Sequence, residues 1–93
     1  DSFCPVGPWI ETDFVPENKR ISSTINGETK QDASTSEMVY SPEYLISYIS
    51  HNFTLEPGDI VLTGSPAGIS RVVAGDVVQC SIEGIGTLHS FVK

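Results

Sequence analysis

Basic residues are scarce in this sequence. Its 93 residues include 5 Lys and Arg against 12 Asp and Glu, a formal net charge of −7 at neutral pH. Nucleic-acid binding needs a basic stripe to meet the phosphates, and the basic cluster here is Lys19-Arg20 alone. The balance argues against nucleic acid, and against an anionic membrane surface on the same ground. No apolar run approaches the ~18 residues of a membrane-spanning helix, and no secretory signal is visible. The Asn52-Phe53-Thr54 sequon is therefore read as chance. Cysteine is also sparse. Cys4 and Cys80 could close one disulfide, but one distant pair is no disulfide framework, and reduced thiols of a cytoplasmic protein are the favoured reading. With only His51 and His89 as other soft ligands, and no ligand spacing between them, a zinc site has no support. There is no GxGxxG and no phosphate-loop lysine motif.

What is present is globular and strand-rich. The chain is 39% hydrophobic and 18% charged, outside the regime of disorder, and long enough for one small domain. Its opening run, Phe3-Cys4-Pro5-Val6, and its start at Asp1 suggest a portion of a larger protein. Pro5 and Pro8 restrict the first segment to extended geometry, with Trp9 expected as a core anchor. Arg20 to Ile25, a tight Asn26-Gly27 turn, and Glu28 to Asp32 read as a β-hairpin. Asp32 to Ser36 reads as a loop of small polar residues exposing backbone donors. Ser41-Pro42 opens a helix, Ser41 as cap and Pro42 in the first position. Leu45, Ile46, Ile49 and Phe53 give that helix an apolar face for docking on a sheet. Leu55 to Asp59 is a type II turn, Ile60-Val61-Leu62 a short buried strand, and Ala74-Gly75-Asp76 a second turn. Strands follow over Val77 to Ile82 and, after Glu83 to Gly86, over Thr87 to Val92. The sum, about six strands and one helix, is a β-rich α+β fold.

Chemistry is best placed in Thr63-Gly64-Ser65-Pro66-Ala67-Gly68. There the chain leaves an apolar strand with hydroxyls and glycines in quick succession. Glycine admits close approach to the backbone, and free N–H groups beside hydroxyl donors can hold a carboxylate or oxyanion. Such strings are also ordinary turns. No nucleophile system is legible; His51 and His89 read as structural or surface histidines, and Asp59 and Asp76 as turn residues.

Four stretches taken together resemble the fumarylacetoacetate hydrolase family: Phe3 to Ile10; Ile25-Asn26-Gly27-Glu28 through Gln31-Asp32 to Thr35-Ser36-Glu37-Met38; Leu55 to Gly68; and Gly75-Asp76-Val77-Val78 with Ile82 to Leu88. Order and spacing agree across nearly the whole chain. The resemblance implies that residues 1–93 are the C-terminal portion of one catalytic domain, an incomplete mixed β-roll, usually found in a homodimer. It implies a Mg²⁺ or Mn²⁺ ion polarising the ketone and enolate oxygens of a small 2-oxo or 1,3-dioxo acid. The outcome is C–C hydrolysis, decarboxylation or double-bond isomerisation. In the family the metal ligands, a Glu-x-Glu pair and an Asp, lie upstream of the Phe-Cys-Pro-Val-Gly-Pro segment, as do a lysine and the acid/base pair of a lid. This chain is thus expected to bind no metal alone, to carry no catalytic residue, and to be inactive alone. What carries over is the turn. Ser65 resembles the hydroxyl residue that meets the substrate carboxylate or enolate, with Gly64 and Thr63 beside it; serine stands where threonine is common. Ile69-Ser70-Arg71 departs from a frequent second glycine. The competing expectation is a non-catalytic β-rich assembly module or an inactive fragment.

Overall fold

Asn26 and Gly27 take φ of 51° and 82°, the paired positive angles of a two-residue hairpin turn whose twist matches its strands. They join β1, Arg20–Ile25, to β2, Glu28–Ser34. The computed structural model describes residues 3–93. A 3₁₀ turn, Thr35–Glu37, follows β2; then come α1, Pro42–Ser50, a long irregular stretch, and the hairpin of β3, Val77–Ile82, and β4, Gly86–Phe91. The four strands form one antiparallel sheet in the order β2-β1-β3-β4. This is the small β-rich domain with one helix that the sequence indicates, with four strands among the described residues in place of about six.

The register gives the sheet two unlike faces, because directly opposed residues share a face. Ile21, Ala33 and Ile82 lie abreast, as do Ile25 and Val78, and Cys80 and Leu88; these make the more apolar face. The other carries Ser22, Thr24, Asp32, Gln79, Ser81, Thr87 and His89. Side-chain bonds cross it: Thr24 donates to Gln79 at 3.1 Å, Gln79 meets His89 at 3.1 Å, and the Ser81 and Thr87 hydroxyls lie 2.7 Å apart. At its corner the Arg20 guanidinium donates to both Asp32 oxygens, each at 2.7 Å. Those bonds hold the Asp32 carboxyl below the usual carboxylate range.

The N-terminal segment reaches over the β3–β4 turn. Gly86 has φ of +139°, and a Cβ there would stand 2.9 Å from the Trp9 ring. Trp9 is nonetheless 56% exposed, so it lies on the sheet's edge instead of anchoring a core. Phe14 packs similarly against Gly84. No described residue is buried, and Leu62 (81%) and Ile69 (88%) are among many large apolar side chains left open.

Further expectations are corrected. Ile60-Val61-Leu62 pairs with no described strand: the apolar run gave the signal, but without a ladder partner the segment stays irregular, with Ile60 and Leu62 exposed. The expected donor-rich loop over Asp32 to Ser36 is largely strand and capped turn. β2 runs to Ser34, whose hydroxyl accepts from the Ser36 N–H at 3.2 Å, while its own N–H donates to Glu37 at 3.0 Å. The helix begins as expected, with Ser41 accepting from the Tyr44 N–H and Pro42 in the first turn. Its apolar face is only partly used: Leu45 and Ile49 are half-buried, whereas Ile46 and Phe53 are exposed. Tyr40, Tyr44 and Tyr48 instead stack along an open side, with successive centroids 4.9 and 6.4 Å apart.

Both Gly-Asp turns are built alike. Asp59 donates its N–H to the Glu56 carbonyl and accepts from the Glu56 N–H; Asp76 does the same with Val73. Asp76 also accepts from the Asn26 amide at 2.8 Å, and Asn26 exchanges further bonds with Val77. The turn before β3 is thereby tied to the tip of the β1–β2 hairpin. Bonds from Val73 and then Asn26 favour the charged carboxylate and lower the Asp76 pKa. A depressed native pKa means that the folded state holds the proton less tightly than the unfolded chain. The contribution is complete above the unfolded value of ~3.9 and fades as pH falls through the native one. We expect thermal midpoints of the full-length protein to drop below about pH 4, and Asp76→Asn to flatten that drop. Superimposable midpoint curves would show that the tie contributes nothing.

Candidate functional site

Pro66 fixes its own φ and confines Ser65 to extended geometry, so the turn after Leu62 has little freedom of its own. Its position is then set by β2. That strand carries an irregularity: Ser23 faces Gln31 and Thr24 faces Thr29, which leaves Lys30 as an extra residue. A bulge of this kind re-aims the backbone. Here the Lys30 carbonyl faces Gly68 so closely that a Cβ on Gly68 would lie 2.0 Å from its oxygen. Gly68 also has φ of +104°, which side chains disfavour. Beside it, the Gln31 side chain donates to the Pro66 carbonyl at 2.9 Å.

Held this way, Thr63, Gly64 and Ser65 form one wall of a cavity of about 450 Å³. Ile21, Ala33 and Ile82 of the more apolar sheet face contribute to the lining. Met38 and Leu45 add apolar surface from the helix side, and Pro16 from the N-terminal segment. Thr35 fastens that segment: its N–H donates to the Lys19 carbonyl at 2.8 Å, its hydroxyl accepts from the Lys19 N–H at 2.8 Å and donates to the Pro16 carbonyl. The volume falls within the ~300–1,000 Å³ of small-molecule sites, and the lining is mostly apolar with a few convergent polar groups, as such sites are.

The polar groups suit anion recognition better than proton transfer. Thr63 and Ser65 are exposed, and among the described residues neither hydroxyl is engaged in a hydrogen bond. The carboxylate on the lining, Glu37, is occupied in capping Ser34. Tyr40, also on the lining, is stacked on Tyr44. His51 accompanies the Ser47 carbonyl at the helix end, and His89 lies on the polar face of β4. Among the described residues no three of His, Cys, Asp and Glu converge as metal ligands. A hard cation needs about six oxygens, carboxylates prominent among them, and a single carboxylate already serving as a cap does not fit that need.

The structure brings Thr63, Gly64 and Ser65 to one cavity wall. Sequence reasoning missed Gln31 and the Lys30 bulge. A polar side chain on the apolar side of a hairpin strand is the signal that could have found Gln31; the bulge leaves no mark in composition.

A family profile described as "Fumarylacetoacetate (FAA) hydrolase C-terminal" matches residues 1–93. The bifunctional isomerase/decarboxylase of 4-hydroxyphenylacetate degradation from Salmonella dublin is 43% identical over 91 residues, 95% of this chain and 21% of that protein. The crystal structure of 2-hydroxyhepta-2,4-diene-1,7-dioate isomerase from Mycobacterium marinum superimposes with a TM-score of 0.95 at 48% identity, covering 97% of this chain and 36% of the other. Maleylpyruvate hydrolase from Sphingobium sp. SYK-6, solved with manganese(II) and pyruvate, gives 0.92 at 36% identity, covering 97% and 35%. The chain thus spans 21%, 36% and 35% of the length of these three relatives.

Gly68→Ala is expected to destabilise the full-length protein by roughly 2–4 kcal/mol, from backbone strain and collision with the Lys30 carbonyl. It should also speed amide hydrogen exchange over residues 63–68. Unchanged exchange there would show that the turn is not held by this approach.

Proposed function

The chain belongs to the fumarylacetoacetate hydrolase family, and we propose that it supplies the substrate-binding turn of a metal-dependent enzyme acting on small 2-oxo or 1,3-dioxo acids. Its relatives are enzymes, isomerases, decarboxylases and hydrolases among them. The observation that carries the reading is the free Ser65 hydroxyl on the wall of a mostly apolar cavity.

In this reading Ser65 donates to an oxygen of the substrate carboxylate or enolate, with Gly64 leaving the backbone open to approach and Thr63 adding a second donor. Preorganised donors stabilise negative charge where it develops, without reorganisation during the reaction. Ile21, Ile82 and Leu45 contact the carbon skeleton and keep water from it. The reaction is C–C hydrolysis, decarboxylation or isomerisation of the oxo acid. We assign the divalent cation, Mg²⁺ or Mn²⁺, to carboxylates outside these 93 residues; manganese and pyruvate in the Sphingobium enzyme support that chemistry. Residues 1–93 are then the C-terminal portion of one catalytic domain, and the antiparallel sheet is part of a mixed β-roll. We read the assembled enzyme as a cytoplasmic homodimer. Two distant cysteines make no disulfide framework, which suits a reducing compartment, and a partner would cover open apolar residues such as Leu62 and Ile69.

In the full-length protein, Ser65→Ala should raise the Kd for pyruvate, measured by titration calorimetry with Mn²⁺ present, roughly tenfold, the worth of one hydrogen bond to a charged acceptor. KM for an acylpyruvate should rise similarly, with kcat changed less. Unaltered binding and KM would remove Ser65 from the site.

A further inference from the structure

Among the described residues the Ser65 side chain has no hydrogen-bond partner, so its direction depends on what fixes its neighbours. We infer that Gln31 is a positioning residue that aims Ser65 into the cavity through the Pro66 carbonyl. This inference rests on the reading of Ser65 as a substrate-binding residue.

The Gln31 amide is held at both ends. Pro66 offers a carbonyl, which can only accept, so the amide NH₂ faces it, at 2.9 Å. The amide oxygen then faces β1, where the Ser23 hydroxyl donates to it at 2.8 Å. The chain of bonds runs from β1 through the side chain of β2 to the turn, so the turn is referenced to an interior strand of the sheet. β1 is paired on both sides, with β2 and with β3. The bulge at Lys30 contributes the second point of attachment. The Lys30 carbonyl meets Gly68, and the Gln31 Cγ would lie 3.1 Å from a Cβ placed there. Two neighbouring residues of one strand thus grip the turn at Pro66 and Gly68.

Between that grip and Ser65 little slack remains. The Pro66 ring fixes one backbone angle, and the same ring confines Ser65 to the extended region. Fixing the Pro66 carbonyl therefore leaves the ψ of Pro66 as the main backbone freedom between the grip and the Ser65 side chain. Gln31 does not line the cavity, so its contribution passes through the turn.

The test is a double-mutant cycle in the full-length protein, reading the Kd for pyruvate with Mn²⁺ present and the thermal midpoint of each variant. Gln31→Met keeps length and removes the donor. We expect Gln31→Met and Ser65→Ala each to raise Kd roughly tenfold, and the double variant to stay near tenfold, because each removes the same bond to the ligand. Ser23→Ala, which frees the amide oxygen without touching the turn, should raise Kd severalfold and likewise add nothing to Ser65→Ala; it carries the test if Gln31→Met does not fold. A purely structural glutamine would lower the midpoint and leave Kd alone. That result, or a double variant near a hundredfold, overturns the inference while Ser65 keeps its role. If Ser65→Ala itself leaves Kd unchanged, the reading of the turn falls and this inference with it.

Discussion

The carbonyl of Lys30 and the backbone of Gly68 approach so closely that no side chain fits between them. This contact fixes where the chain returns to the sheet after its long excursion through α1 and the following irregular stretch. The bulge in β2 aims the carbonyl, glycine permits the approach, and the Gln31–Pro66 bond beside it prevents sliding. Without that grip, residues 63–68 would form an exposed loop with no strand to hold it. With it, the hydroxyl-bearing turn becomes the wall of a cavity. A bulge beside a binding site is a familiar use of the extra residue; here it lies behind the cavity wall instead of lining it.

The sheet's two faces divide the work. One is crossed by hydroxyl and amide bonds and tied at its corner by the Arg20–Asp32 pair. The other is more apolar and receives the N-terminal segment toward β4 and the turn toward β2, with the cavity between them. Neither cover buries a residue fully. Large apolar side chains such as Leu62 and Ile69 stay open beside the sheet.

Much of this was legible in the sequence where local chemistry decides structure. Asn26-Gly27 specifies a hairpin turn, Ser41-Pro42 a helix start, and Pro57-Gly58-Asp59 a turn closed by its own aspartate, because each rests on backbone angles and short-range hydrogen bonds. Where partners decide, the sequence misled. Ile60-Val61-Leu62 has the composition of a buried strand but, among the described residues, no neighbour that completes a ladder, and Trp9 has the size of a core anchor but rests at an edge. The site was half visible. Thr63, Gly64 and Ser65 stood out as hydroxyls and a glycine after an apolar run, whereas the Gln31–Pro66 bond needs three dimensions, since the two residues stand 35 positions apart.

The central claim is that Ser65 meets the substrate carboxylate while the cation is held by other polypeptide. A crystal structure of the full-length protein with Mn²⁺ and pyruvate tests it most directly. The account predicts the Ser65 Oγ within about 3 Å of a ligand oxygen, with the ion's carboxylate ligands drawn from outside residues 1–93. A ligand bound away from the cavity behind Thr63–Ser65, or an ion held by the acids of this chain, would contradict it.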